Sequence, residues 1–137
     1  MDDNIYSATR GKFSHLNQVD YSICLSCFQY FNSNYYASKV VNFLLSVTKK
    51  TILIYDIKNL NLINKHKKKV RLRQGLTKID FDTKYKNYPL RYYKKTFFIK
   101  ILDKMVKNKK IKYYFDKLPH SATDYEYGYC LVITKEK

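Results

Sequence analysis

SKVVNFLLSVTKKTILIYDI, residues 38–57, decides the fold class. Its first half puts Val40, Val41, Leu44, Leu45 and Val47 on one side of a helix, at the three- and four-residue spacing a 3.6-residue turn brings together. Ser38 stands where a hydroxyl can accept from the first free backbone amides, so it is read as a cap and 39–48 as the helix. The second half, 51–57, is an apolar run interrupted by Asp56 and rich in β-branched side chains, which predicts a buried strand.

Outward from this pair, Val19, Ile23, Cys27, Tyr30 and Phe31 recur at helical spacing, predicting a first helix that Asn32-Ser33-Asn34 ends. Residues 1–17 are polar without a sustained period and read as a tail. Residues 58–74 read as a polar connection with the basic runs Lys65-His66-Lys67-Lys68-Lys69 and Arg71-Leu72-Arg73. After Gly75 the period becomes two. Ile79 and Phe81 alternate with Asp80 and Asp82; Phe97, Ile99 and Ile101 follow; then Ile111, Tyr113 and Phe115; then Tyr125, Tyr127, Tyr129, Leu131 and Ile133. Helices followed by strands predict an α+β fold. Two small lobes are expected: a helix–helix–strand lobe over 18–87, with a basic insertion near 58–74, and a mostly antiparallel strand lobe over 88–137.

The chain carries 27 Lys and Arg against 11 Asp and Glu, a net charge of +16, on a 45% hydrophobic composition. The apolar content suffices for a core, and the charge calls for a polyanionic partner to relieve self-repulsion. No apolar run approaches the ~20 residues of a membrane span, and Met-Asp-Asp-Asn opens neither a secretory signal nor a transit peptide. Three Cys, an odd number, argue against a disulfide scaffold and for a reducing compartment. The abundance of Lys, Asn, Ile, Tyr and Phe fits AT-rich coding DNA, as in a mitochondrion, a parasitic bacterium or a virus.

Chemistry-bearing motifs are few. Cys24-Leu-Ser-Cys27 has metal-ligand spacing, with His15, His66, His120 and Cys130 as possible completions, but no second pair accompanies it. Buried thiols filling the core are the expected role. Asp80 and Asp82, the best-placed pair among Asp80, Asp82, Asp103, Asp116, Asp124 and Glu126, fall on one face of the expected strand. Ordinary solvent-facing acids are the simpler reading than a metal nuclease. Three Gly leave no glycine-rich phosphate loop, and no Ser-His-Asp or Cys-His pattern is present, so neither an enzyme nor a cofactor is expected. Three basic clusters with aromatic neighbours remain, 65–73, 91–95 and 104–114. Their lysines suit phosphates, and their tyrosines suit unpaired bases.

From residue 19 onward the order of segments resembles small-subunit ribosomal protein eight of the bacterial and organellar type. Ala37-Ser38-Lys39 opens the second helix and Ile52-Leu53-Ile54-Tyr55 follows it. Thr83-Lys84-Tyr85 ends a strand, Ile111-Lys112-Tyr113-Tyr114 is similar to the family's next segment, and Leu118-Pro119 to its Leu-Pro. Gly128-Tyr129-Cys130-Leu131-Val132-Ile133-Thr134 is similar to its signature strand. The chain departs from the pattern at Lys109-Lys110, where the family has Pro-Gly. It departs again at Gln29-Tyr30, where an arginine is expected, and at Ile133 and Lys135 beside Thr134. The family also continues past the position of Lys137, leaving another chain to complete the RNA-binding lobe or a shorter RNA element to be bound.

The resemblance implies a structural, non-enzymatic constituent of a mitochondrial small ribosomal subunit. It would bind small-subunit ribosomal RNA and neighbouring ribosomal proteins, without a membrane or a small-molecule substrate. Tyr114 and Thr134 would contact RNA, with Lys112 in place of a basic residue. Charge adds Lys67, Lys68, Lys69, Arg71, Arg73, Lys84, Arg91, Lys94, Lys95, Lys107, Lys109, Lys110 and Lys135 as RNA-binding candidates. A viral or phage protein binding host nucleic acid or protein, and a structural subunit of another organellar complex, are the alternatives.

Overall fold

The computed structural model describes residues 18–108 and 110–136; the tail expected over 1–17 lies outside them. The fold is α+β, as the sequence leads one to expect. Among the described residues, four strands form one mixed sheet and four helices accompany it. In chain order they are β1 Val19–Leu25, α1 Asn34–Val47, β2 Thr48–Lys58, α2 Ile63–Arg73, α3 Lys78–Lys84, α4 Lys95–Lys107, β3 Ile111–Lys117 and β4 Gly128–Lys135. The sheet order is β1-β2-β4-β3, with β1 parallel to β2 and the other two neighbouring pairs antiparallel.

The decisive stretch is helix then strand, but α1 begins at Asn34. Ser33 is the cap, its Oγ accepting from the Tyr36 amide at 3.0 Å, while Ser38 Oγ donates back to the Tyr35 carbonyl. Ala37, Val40, Val41 and Leu45 form the buried stripe. At Thr48 the chain turns extended and enters β2, whose Ile52, Ile54 and Ile57 are fully buried.

Four segments differ from expectation. Residues 19–25 are strand, because Val19, Tyr21, Ile23 and Leu25 satisfy period two as well as period four, and parallel pairing to β2 decides between them. The supposed polar connection contains α2, which turns His66 and Val70, one helical turn apart, inward and its lysines outward. Residues 78–84 are helix because Thr77 caps them: the Asp80 amide donates to Thr77 Oγ1, which donates to Asp80 Oδ2. Residues 97–102 belong to α4, where Phe98 and Leu102 are buried at a four-residue spacing. The strands read at 51–57, 111–115 and 129–133 are present, with Tyr125 and Tyr127 in a 3-10 turn just before β4.

The core lies between one face of the sheet and helices α1 and α4. Across the strands, Cys24, Ile54, Leu131 and Phe115 form one row, and Ser22, Ile52, Ile133 and Tyr113 the next. Phe28, Phe31, Tyr93 and Phe98 close the core with tilted and edge-on ring contacts 4.8–5.7 Å apart between centroids. No helix among the described residues is long and apolar enough to cross a membrane.

Candidate functional site at the carboxyl ends of the parallel strands

β2 contains a bulge. Ile54 pairs with Leu131 and Ile57 with Tyr129, so β2 has one more residue than β4 between those pairs. The extra residue lets Asp56 take left-handed backbone, φ 60°, at the carboxyl end of β2. Beside it, just past the carboxyl end of β1, Ser26 is also left-handed at φ 51°. Ser26 Oγ donates to Asp56 Oδ2 at 2.8 Å, and the buried Lys58 Nζ donates to Asp56 Oδ1 at 2.8 Å. Gly128 makes room for this arrangement. A Cβ there would lie 2.7 Å from Leu118 Cδ1 and 3.1 Å from Asp56 Oδ1.

A second charged cluster adjoins the first. Asp124, the third non-glycine residue with left-handed backbone among those described, at φ 56°, precedes the turn into β4. The Arg73 guanidinium holds its two oxygens at 2.9 and 3.1 Å, and Lys69 Nζ lies at 3.5 Å. His66 Nε2 is 3.2 Å from Asp124 Oδ2, and His66 Nδ1 is 2.6 Å from the Tyr92 hydroxyl. Burial alone would push the Asp124 carboxyl up, but its hydrogen bonds to Arg73 and His66 bring it down to about 2. Burial lowers the His66 pKa against the pull of Asp124, keeping the ring neutral. Burial, reinforced by Asp124, pushes the Tyr92 hydroxyl up to about 12. These states fix the protons: a carboxylate only accepts, so Nε2 carries the hydrogen toward Asp124 and Tyr92 donates to Nδ1.

The two clusters line one cavity of about 430 Å³, bounded also by Gln29, Tyr30, Val70 and Tyr85. The three non-glycine left-handed residues among those described, Ser26, Asp56 and Asp124, are all on its wall. Each such residue costs on the order of 1 kcal/mol, and such strain gathers at working sites. Buried Gln29 also lines the cavity, and its Oε1 has no hydrogen-bond partner among the described residues. A buried acceptor left open favours a ligand that brings a donor. The location is the expected one, since open α/β sheets bind ligands outside the carboxyl ends of their parallel strands.

The sequence-derived candidates fare differently. Arg73 and Lys69 reach the cavity cluster through Asp124, while Lys67, Lys68 and Arg71 lie elsewhere along α2. Lys84 ends α3 and donates to Gln74 Oε1; Arg91 braces the start of α1 through Phe31 O, Asn32 O and Asn34 Oδ1. Lys94 and Lys95 open α4, Lys95 lying over the Phe115 and Tyr129 rings, and Lys107 ends it. Lys110, Lys112 and Tyr114 are at or in β3, with Lys112 paired to Glu136. Thr134 and Lys135 are in β4, and Lys135 Nζ donates to the Leu45 carbonyl. Lys109 is outside the described residues. The described candidates are thus spread over α2, the end of α3, the segment before α4 that braces α1, both ends of α4, and β3 and β4.

The metal motifs dissolve in a similar way. Cys24 and Cys27 are joined by a disulfide, correcting the expectation of core-filling thiols, and Cys130 is the buried free cysteine. Asp80 and Asp82 lie on a helix, so they do not share a strand face. No trio of His, Cys, Asp and Glu is grouped to hold a metal among the described residues; His15 lies outside them. Sequence reasoning missed Ser26, Gln29 and Lys58 altogether. The one signal was Asp56, a charge inside an apolar run.

No protein-family model matches the chain, and no curated protein matches it in sequence. Solved structures do match in fold. Magnesium protoporphyrin IX methyltransferase (ChlM) from Synechocystis PCC 6803 with bound SAH is 16% identical at a TM-score of 0.55, over 90% of this chain and 48% of that one. The SAM-bound form is 14% identical at 0.52, over 90% and 42%. The small RNA methyltransferase HEN1 is 14% identical at 0.53, over 93% and 15%. The chain therefore spans less than half the length of each of these three structures.

These likenesses overturn the ribosomal resemblance, and with it the roles in translation and in the small ribosomal subunit. The shared fold is that of methyltransferase structures. They likewise correct the expectation of a non-enzyme, and that of a chain whose partner is ribosomal RNA and which takes no small molecule. The two matched ChlM structures hold SAH and SAM. The segments that matched the ribosomal family are a few residues each, and such strings fit more than one tertiary arrangement.

Proposed function

We propose that this chain forms the methyl-acceptor side of a SAM-dependent methyltransferase active site. The observation that carries the reading is the convergence of Ser26, Asp56 and Asp124, all on left-handed backbone, on a cavity at the carboxyl ends of the parallel strands. SAM, when bound, supplies an electrophilic methyl group. The residues present fit the acceptor and not the whole cofactor. β1 runs into Ser26-Cys27-Phe28 and β2 into Asn59-Leu60, with no glycine at either exit for close backbone approach to a nucleoside.

Within the cavity, Gln29 Oε1 accepts a hydrogen bond from a hydroxyl or amino group of the acceptor. Asp56 has lone pairs left beyond those used by Ser26 and Lys58, and it takes a second donor or the acceptor's proton. Arg73 at the rim attracts an anionic substituent and, through Asp124, is held in fixed orientation. His66 and Tyr92 position Asp124 from behind.

The test uses the chain isolated in its native state from its source cells, with tritiated SAM and acceptors extracted from the same cells. Label should pass to an acceptor, and Gln29→Met and Arg73→Met should each reduce transfer at least ~10-fold without changing the circular dichroism spectrum. Undiminished transfer by both variants would sink the assignment of the cavity.

A further inference from the structure

The helix α2, INKHKKKVRLR, carries six Lys and Arg and no acid. Like charges four residues apart, such as Lys67 and Arg71, repel along a helix and destabilise it unless an anion answers them. On the side turned to the candidate site, Asp124 answers Lys69 and Arg73. Farther round the helix nothing does. Lys67, Lys68 and Arg71, with Lys78 at the start of α3, form no ion pair among the described residues.

These four cations line a recess of about 340 Å³ between α2 and α3, with the buried ring of Phe81 in its wall. Lys67 and Arg71 are half-buried there. Half-buried cations lose part of their hydration, a cost that an anion of matching shape offsets. Arg71 Nη1 donates to the Leu76 carbonyl at 3.4 Å, which fixes the guanidinium against the turn between the two helices and leaves its other N–H groups free. Asp82 is the single acid in the wall, so four cations face one carboxylate. A lone phosphate would leave much of that volume and charge unmet, whereas a diphosphate has oxygens enough to reach all four cations. The recess also leads toward the candidate site. It shares Lys67, Phe81 and Asp82 with a neighbouring cavity of about 220 Å³, and that one shares Tyr85 and Leu90 with the cavity of Gln29 and Asp56.

We infer that the recess of Lys67, Lys68, Arg71 and Lys78 binds the diphosphate of an acceptor whose methylated group reaches Gln29 and Asp56. The inference rests on the acceptor-side reading and adds its substrate class. The acceptor is a soluble molecule carrying a diphosphate about one helix diameter, 10–12 Å, from the hydroxyl or amino group that takes the methyl. Arg71 offers the phosphate oxygens a planar fork, and the three lysines offer adaptable point charges. Binding energy gained at this remote group holds the reacting end in place at the other cavity.

Calorimetric titration of the chain with inorganic pyrophosphate, at about 0.15 M ionic strength so that diffuse attraction is screened, reads the site directly. Binding should saturate at a single site. Lys67→Gln with Arg71→Gln should weaken it at least ~10-fold. Lys104→Gln with Lys107→Gln, which removes the same charge from the end of α4, should not, and both variants should keep the circular dichroism spectrum of the parent. In the tritium transfer assay the first variant should need at least ~10-fold more cell extract for half-maximal transfer, with the maximal rate retained, and the labelled product should contain a diphosphate by mass. Equal weakening of pyrophosphate binding by the two variants would reduce the effect to net charge and overturn the site. Tighter binding of a single-stranded oligonucleotide than of pyrophosphate at the same residues would overturn it in favour of a nucleic acid. A labelled product without a diphosphate would defeat the substrate class and leave the acceptor reading intact. Pyrophosphate binding lost in the first variant, with no label transferred even by the parent chain, would defeat the acceptor reading and leave the diphosphate site.

Discussion

Ser26 Oγ donates to Asp56 Oδ2 at 2.8 Å, joining two side chains on left-handed backbone at the carboxyl ends of adjacent parallel strands. The bond ties the exit of β1 to the bulge of β2, and Lys58 completes a buried ion pair on the same carboxylate. Removing one partner of such a pair is costly because the other charge stays in the low-dielectric interior.

Asp56→Ala should therefore destabilise the fold by about 3–5 kcal/mol, and adding Lys58→Met should recover more than half of the loss. Urea unfolding followed by circular dichroism measures both. Equal stability of the single and double variants would show that Lys58 does not depend on Asp56.

Acid should weaken the fold in two stages with the same sign. The folded pKa of His66 lies below the ordinary 6.5, so its contribution is complete above 6.5 and declines as pH falls below it. Asp124, brought from 3.8 to about 2, adds a contribution complete above 3.8 and lost as pH falls toward 2. His66→Gln should flatten the upper stage, and Asp124→Asn the lower. Melting temperatures from pH 8 to pH 2 would expose a wrong assignment as an unchanged profile.

Gln29→Met should stabilise the ligand-free chain by about 1 kcal/mol, because it removes a buried acceptor that has no partner among the described residues. The same change should weaken acceptor binding, so stability and transfer move in opposite directions. Parallel losses in both would mean that the amide supports the fold.

The sequence was readable where local pattern and tertiary context agree. The strand at 51–57 and the helix before it follow from β-branched content and a helical stripe; Ile111, Tyr113 and Phe115 alternate as they pack. It was unreadable where the pattern is shared. Val19, Tyr21, Ile23 and Leu25 suit a strand as well as Val19, Ile23 and Cys27 suit a helix, and the parallel pairing that decides comes from residues 48–55. The doublets Phe97-Phe98 and Ile101-Leu102 look like a strand in a short window and form a helical face over 13 residues. The site escaped for a further reason. His66 and Asp124 are 58 residues apart, and Ser26, Asp56 and Asp124 look like ordinary polar residues until their backbone angles are known.

The bulge in β2 has a consequence for how the setting of Asp56 is kept or lost. Ile52 and Ile54 face the core before it and Ile57 after it, so excising one residue between Ile54 and Ile57 leaves every buried isoleucine in phase. The sheet would then close into an unbroken ladder, with its hydrophobic layer intact and its Asp56 carboxylate gone or turned away. A single-codon deletion would thus keep the hydrophobic layer in phase while removing the bulge that presents Asp56, and the buried Lys58 left without its carboxylate would report the change as lost stability.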